Sequence, residues 1–146
     1  MEGREMSEHN KKRILIVDDE SVNIKILKQI LSLDYNVSAA TDGPDAIEAA
    51  EEILPDIILL DIVMPDMDGY TVISKLKSNE KTKDIPVIFL TAMTSPGDET
   101  KGFNLGASDY IFKPFSADLL LRRVEMNLKL IEYERLLEEK GGSPEV

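Results

Sequence analysis

The chain has 146 residues, of which 42% are apolar and 31% charged, and it carries a net charge of -11 and no cysteine. This length suits one domain with one substantial core, and the composition is neither that of a disordered chain nor that of a membrane protein. The lack of cysteine excludes disulfides, thiolate catalysis and thiolate metal sites, and the acidic balance argues against direct binding of nucleic acid.

Both ends of the chain are polar. Residues 1–12 contain no apolar signal-peptide stretch, and no apolar run approaches the ~20 residues of a helix that crosses a bilayer. We therefore expect flexible tails at residues 1–12 and 141–146, no insertion into a membrane and a cytoplasmic location.

Between the tails, short β-branched apolar runs alternate with segments of helical periodicity. The first run, residues 13–17, is typical of a strand buried on both faces. In the predicted helix that follows, residues 22–33, the side chains of Ile24, Leu27 and Leu31 share one face. The alternation continues with a weaker strand (37–40), a helix (44–54), a strand (56–60), a helix (69–78), a strand (86–90), a weaker helix (95–105) ended by Gly106, a strand (110–112) and a long helix (117–140) capped by Ser116.

Five strands alternating with five helices predict an α/β fold, a doubly wound parallel sheet with helices on both faces. Right-handed crossovers place the carboxyl ends of all strands at one edge, where such sheets bind ligands. We therefore expect three carboxylates, one hydroxyl and one ammonium to meet at that edge. The residues that follow or end the strands there are Asp18, Asp19, Asp61, Thr91 and Lys113.

Three carboxylates in one place call for a cation. Two carboxylates about 5 Å apart repel by roughly 3 kcal/mol at an effective dielectric of about 20. A small set of hard oxygen ligands with room for water suits Mg²⁺ better than Zn²⁺ or Ca²⁺. Mg²⁺ beside an aspartate and a lysine is a layout for phosphoryl transfer, because metal and ammonium neutralise the phosphoryl oxygens while a carboxylate oxygen attacks.

Four motifs, in order between residues 13 and 128, resemble the receiver domain of two-component response regulators. They are ILIVDDE at residues 14–20, then Asp61-x-x-Met64-Pro65-x-Met67-Asp68-Gly69, then Thr91-Ala92, and finally Gly106-Ala107-x-Asp109-Tyr110-x-x-Lys113-Pro114-Phe115. The resemblance implies a flavodoxin-like fold with a receiver domain over residues 13–130. Residues 131–146 would then form a helical extension and a flexible tail.

The resemblance also implies a role for each residue of the cluster. Asp61 would accept a phosphoryl group from the phosphohistidine of a sensor histidine kinase or a histidine phosphotransfer protein. The chain would thus catalyse only its own phosphorylation and dephosphorylation. Asp19, Asp61 and the backbone carbonyl of Val63 would ligate Mg²⁺ directly, and Asp18 would act through a water. Lys113 would pair with the phosphoryl group.

The same resemblance implies a switch. Thr91 would donate a hydrogen bond to the phosphoryl group and move when it arrives, and Tyr110 occupies the family's aromatic switch position, which turns inward as Thr91 moves. The Lys113–Pro114 bond is typically cis in this family. Phosphorylation would change the face of the fourth helix, fifth strand and fifth helix, which then binds a partner or a second copy.

Two positions tune the lifetime of the phosphoaspartate in this family, and here they are Val63 and Met93. Both side chains are apolar, so neither can orient an attacking water through a hydrogen bond. We expect a longer-lived phosphoaspartate than in relatives with polar residues at these positions.

The last predicted helix is longer than a receiver needs. One apolar stripe, expected to face the core, comprises Leu121, Val124, Leu128 and Ile131, and a second stripe with the 4-3-4 spacing of a coiled-coil seam comprises Met126, Leu130, Tyr133 and Leu137. A frayed charged tail and a helix that dimerises or leads to an output domain both stay open.

Two other functions also remain open from the sequence. The chain could be an interaction module that no longer uses phosphate, although the intact set of Asp19, Asp61, Thr91 and Lys113 argues against this. It could also be the regulatory fragment of a larger protein, such as a diguanylate cyclase, a cyclic-nucleotide phosphodiesterase or a hybrid kinase.

Overall fold

The computed structural model describes residues 11–92 and 96–141. Within these residues, strands and helices alternate as β1 (Arg13–Val17), α1 (Ser21–Leu31), β2 (Asn36–Ala40), α2 (Gly43–Ile53), β3 (Ile57–Leu60), α3 (Gly69–Lys77), β4 (Val87–Thr91), α4 (Pro96–Asn104), β5 (Asp109–Phe112) and α5 (Ala117–Gly141). The predicted order of the elements is confirmed.

The five strands form one parallel sheet in the order β2-β1-β3-β4-β5. This confirms the predicted doubly wound α/β fold. The strand order reverses at β1, because the chain passes outward from β1 to β2 and then returns to the other side of β1 for β3. Val17 and Leu60, the last residues of β1 and β3, are register partners. The residues that follow these two strands therefore leave the sheet side by side.

Helices cover both faces of the sheet, which explains why the three inner strands β1, β3 and β4 are apolar runs, whereas the edge strand β2 contains Asn36 and Ser38 and is mostly half-buried. On one face, Leu15 and Val17 of β1 belong to a core with residues of α2 and α3. On the other face, Ile14 and Ile16 belong to a core with residues of α1 and α5. Because successive side chains along a strand point to opposite faces of the sheet, residues 14–17 of β1 are buried on both faces.

Side-chain caps fix the starts of three helices. The carboxylate of Asp42 accepts a hydrogen bond from the Asp45 N–H at 2.8 Å, and that of Asp68 accepts one from the Thr71 N–H at 2.9 Å. The predicted cap at Ser116 is confirmed, since its hydroxyl accepts a hydrogen bond from the N–H of Leu119 at 3.0 Å.

Two predicted details differ in the structure. The first helix ends at Leu31 rather than at residue 33, because the chain turns there into β2 and the N–H of Tyr35 donates to the carbonyl of Leu31. In α5, Leu120 and Val124 are fully buried, whereas the predicted core residues Leu121, Leu128 and Ile131 are only half-buried. Leu120 and Val124 lie one helical turn apart, so they are on the same face of α5, the face that packs against the sheet.

No helix among the described residues is both long enough and apolar enough to span a bilayer.

Candidate functional site

Three aspartates meet at the carboxyl edge of the sheet. One carboxylate oxygen from each of Asp18, Asp19 and Asp61 lies within 4.8 Å of the other two. Asp18 and Asp61 are buried and Asp19 is exposed. The sheet fixes the two buried aspartates, because the N–H of Asp18 donates to the carbonyl of Ala40 at 3.2 Å and that of Asp61 to the carbonyl of Val17 at 3.0 Å. We call these three residues the acid cluster.

Lys113 reaches the acid cluster from the loop after β5. Its Nζ lies 3.3 Å from Oδ2 of Asp61 and 3.4 Å from Oδ2 of Asp18. The backbone N–H of Lys113 donates to the carbonyl of Thr91 at 2.9 Å, and the peptide bond to Pro114 is cis, as the family resemblance implied. Neighbouring strands thus place the ammonium between two carboxylates.

One ammonium does not neutralise three acids. Burial raises the pKa of Asp61 above its ordinary value; the charge of Lys113 opposes this shift and that of Asp18 adds to it. Burial lowers the pKa of Lys113, but the carboxylates of Asp61 and Asp18 outweigh this effect, so that the net shift is upward. The cluster therefore retains excess negative charge on hard oxygen donors, which fits a small divalent cation such as Mg²⁺.

Protein donors orient the carboxylates of the cluster. Oδ1 of Asp18 accepts from the N–H of Glu20 at 2.9 Å, and its Oδ2 accepts from the side-chain amide of Asn23 at 3.2 Å. Oδ1 of Asp61 accepts from the N–H of Val63 at 3.2 Å. Sequence reasoning missed Asn23; its signal was a polar residue in the first turn of the helix that follows the paired aspartates.

An open cleft of about 670 Å³ lies over the acid cluster. Asp61 lines this cleft together with Val63, which is 60% exposed, and with Thr91 and Lys113. Asp18 does not line it. The remaining lining residues are Asp19, Glu20, Asn23, Met64, Pro65 and Ala92. Met93, predicted to influence phosphoaspartate lifetime, lies outside the described residues.

Tyr110 is buried, and its hydroxyl donates to the backbone carbonyl of Asp98 at 2.7 Å. Its ring packs against Phe89 and Phe103 with centroid distances of 5.3 and 5.2 Å. A Cβ atom at Gly102 would collide with the Tyr110 side chain, so a residue without a side chain lets the ring lie this close to α4. Sequence reasoning singled out Tyr110 but neither Gly102 nor Asp98.

Three comparisons with known proteins agree with this geometry. A profile of the response regulator receiver domain matches residues 14–125. The chain is 50% identical over 116 residues to a probable cyclic di-GMP phosphodiesterase of Vibrio cholerae, which covers 80% of this chain and 26% of that protein. It is 44% identical over 133 residues to the response regulator PleD of Caulobacter vibrioides, which covers 89% of this chain and 29% of that protein.

A solved structure shares both the fold and the sequence pattern. It is the receiver domain of a sensor histidine kinase from Pseudomonas aeruginosa with a magnesium ion coordinated in the active site cleft. The TM-score is 0.75 at 33% identity, and the alignment covers 82% of this chain and 98% of that chain. The chain spans less than a third of the length of the two curated relatives.

Proposed function

We propose that this chain, which belongs to the response regulator receiver domain family, is switched by phosphorylation of Asp61 with Mg²⁺ held at the acid cluster. One observation carries the proposal: a carboxylate that lines an open cleft has an ammonium at 3.3 Å and two further carboxylates within 4.8 Å. This combination supplies a nucleophilic oxygen and groups that bind a phosphoryl dianion and a metal.

Asp19, Asp61 and the backbone carbonyl of Val63 would hold Mg²⁺ directly, with Asp18 acting through a water. The proposal is supported by the oxygen-only donor set and by the excess negative charge that Lys113 leaves in the cluster. When bound, the ion supplies positive charge that neutralises the oxygens of a transferring phosphoryl group.

The remaining residues act on the phosphoryl group itself. An oxygen of Asp61 forms a bond to phosphorus while the phosphorus–nitrogen bond to a histidine of the donor protein breaks. The donor is a sensor histidine kinase or a histidine phosphotransfer protein. The Lys113 ammonium pairs with the transferred group, and the Thr91 hydroxyl donates to it. The chain catalyses only its own phosphorylation and dephosphorylation.

The output of the switch is a change in the face formed by α4, β5 and α5. We expect Thr91 and Tyr110 to carry this change, because Thr91 lines the cleft, Tyr110 contacts α4, and the two residues lie on the paired strands β4 and β5. A partner protein or a second copy would bind the altered face. The cytoplasmic location and the absence of direct nucleic-acid binding remain predictions.

The test is phosphorylation by acetyl phosphate with Mg²⁺, followed by intact-mass measurement. We expect the wild type to gain one phosphoryl group and Asp61→Asn to gain none. Asp66→Asn, a change of an exposed acid in the same loop, is the matched control and should behave like the wild type. Equal phosphorylation of Asp61→Asn would contradict the proposal. If the wild type gains no mass, and if its NMR spectrum does not change when beryllofluoride and Mg²⁺ are added, the phosphate-independent interaction module would be favoured.

A second proposal concerns the protein in which this domain works. The 50% identity to a probable phosphodiesterase, of which the chain matches 26%, favours a role as the regulatory domain of a larger enzyme. Reading the native gene on both sides of the codons for residues 1–146 tests this directly. An encoded nucleotide cyclase, phosphodiesterase or kinase domain on either side would support the proposal, and a gene that encodes no further domain would contradict it.

A further inference from the structure

We infer that the exposed face of α5 is a docking surface for a second copy of this chain, with the two α5 helices paired as a parallel coiled coil. We call the residues of this face the α5 seam: Met126, Leu130, Tyr133 and Leu137. The inference does not depend on phosphorylation of Asp61, because the seam is already present and exposed in the structure.

The α5 seam combines exposure with regular spacing. Its four large apolar side chains are 55–61% exposed, and their 4-3-4 spacing corresponds to positions d, a, d and a of a heptad repeat. At 100° per residue, the centre of the seam lies about 130° around α5 from the direction of Leu120 and Val124, the two residues buried against the sheet. The domain's own core therefore leaves the seam uncovered.

Beyond residue 131, the last turns of α5 have little support from the rest of the domain, apart from a 3.9 Å ion pair between Lys12 and Glu132. All residues from 132 to 139 are exposed, although they remain helical. Isolated helices shorter than about 12–15 residues are marginal in water. A second helix packed on the seam would bury Tyr133 and Leu137 and so stabilise these turns.

Charges beside the seam indicate a second copy in parallel orientation. In the seam's heptad register, Lys129 occupies position g and Glu134 position e. A parallel pair sets g of one helix against the following e of its partner, so two symmetric Lys129–Glu134 contacts form. In an antiparallel pair, position g of one helix faces position g of the other. The basic side chains of Arg122 and Lys129, which both occupy position g, would then repel each other.

Lys129 can make such contacts with modest rearrangement. Its side chain is 73% exposed, and in the monomer it pairs only loosely with Glu125, at 3.4 Å within the same helix. The seam is short, with four apolar layers, and it buries less than a standard interface. We therefore expect a weak, concentration-dependent dimer with a dissociation constant on the order of 100 µM.

Sedimentation equilibrium of the full chain up to about 500 µM tests the surface. We expect a monomer–dimer equilibrium in the wild type and in Asp61→Asn, and a dissociation constant at least tenfold higher in Leu130→Asp. Leu33→Asp, the same change at a 77% exposed position outside α5, is the matched control. A wild type that stays monomeric, or a dimer unaffected by Leu130→Asp, would overturn the inference.

Cysteine cross-linking tests the orientation, since the chain contains no cysteine of its own. In a parallel pair, Leu137→Cys brings two thiols together at one a layer, so mild oxidation should give a disulfide-linked dimer, whereas Leu33→Cys should not. Lys129→Glu should raise the dissociation constant about fivefold, and adding Glu134→Lys should restore it. Failure of both the cross-link and the charge rescue would overturn the parallel arrangement.

Discussion

Tyr70 and Tyr110 donate their hydroxyl groups to one acceptor, the backbone carbonyl of Asp98, at 3.2 and 2.7 Å. Tyr70 lies in the first turn of α3 and Tyr110 in β5. Both α3 and β5 therefore form a hydrogen bond to the same backbone oxygen in the first turn of α4. The ammonium of Lys101, also in α4, lies 4.3 Å from the centroid of the Tyr70 ring. The position of α4 therefore depends on Tyr70 as well as on Tyr110.

Removing both hydroxyl groups should cost more than the sum of the single changes. In Tyr70→Phe or Tyr110→Phe, the Asp98 carbonyl keeps one donor, and we expect a loss of about 0.5–1.5 kcal/mol in the free energy of unfolding. In the double variant the carbonyl loses both, so a further loss of about 1 kcal/mol is expected. Urea unfolding of the four proteins measures this coupling, and strictly additive losses would contradict the shared-acceptor explanation.

Gly102→Ala should destabilise the protein, although alanine normally stabilises the interior of a helix by about 1 kcal/mol relative to glycine. The added methyl group would collide with the Tyr110 side chain, and overpacking of this kind costs roughly 1–3 kcal/mol. Gly97→Ala, at an exposed position in the same helix, is the control and should be neutral or stabilising. A more stable Gly102→Ala variant, measured by urea unfolding, would show that the ring does not need this space.

The acid cluster was predictable because the topology of a parallel sheet decides which residues meet. Asp18 and Asp61 each follow a continuous apolar strand, and no side-chain detail is needed to bring two adjacent strand ends together. The same reasoning located Thr91 and Lys113 at the edge. The strand ends could be located because strands that are buried on both faces appear in the sequence as continuous apolar runs.

The contacts around α4 were not predictable in the same way. This helix is short and contains Gly97 and Gly102, so its apolar periodicity is weak and says little about which side faces the sheet. Whether Tyr70 reaches Asp98 depends on the depth and rotation of α4, which only the packed structure defines. The choice of Leu120 over Leu121 as the core residue of α5 depended on helix rotation as well.

Asp61→Asn should stabilise the metal-free protein at neutral pH. Burial raises the pKa of Asp61 in the folded state, so the ionised carboxylate costs stability there, and its removal should increase the free energy of unfolding by about 1 kcal/mol. As the pH falls through the raised pKa, the folded wild type takes up a proton before the unfolded chain does, and the advantage of the variant should shrink.

Urea unfolding in EDTA at pH 7 and at about pH 4 checks this expectation. Asp66→Asn is the control, because the residue is exposed and asparagine also tolerates its positive φ of 71°. An Asp61→Asn advantage that does not change with pH would show that the stability difference does not come from this ionisation.

Mg²⁺ should raise the melting temperature, because the acid cluster is assembled only in the folded chain. With a dissociation constant of about 1 mM, ~10 mM Mg²⁺ would stabilise the fold by about 1.4 kcal/mol, or roughly 4 °C. Asp19→Asn should lose most of this shift, because Asp19 is one of the proposed Mg²⁺ ligands. The variant should still fold, since Asp19 is exposed and its replacement leaves the core intact. Asp34→Asn, a change of an exposed acid outside the cluster, should retain it. A wild-type melting curve that does not move across the titration would argue against a metal site.

The lifetime of the phosphoaspartate should shorten when a polar side chain replaces Val63. This side chain is 60% exposed and lines the cleft beside Asp61, so an amide at this position can hold a water near the phosphoryl group. One orienting hydrogen bond worth about 1.4 kcal/mol in the transition state corresponds to about tenfold in rate. We therefore expect Val63→Asn to lose its phosphoryl group about tenfold faster than the wild type, and Met93→Glu to act in the same direction.

Loss of mass over time after removal of acetyl phosphate measures the rate, with Val22→Asn as a control at an exposed valine that does not line the cleft. Equal rates in the wild type and in both cleft variants would mean that the apolar residues at these two positions do not prolong the phosphorylated state.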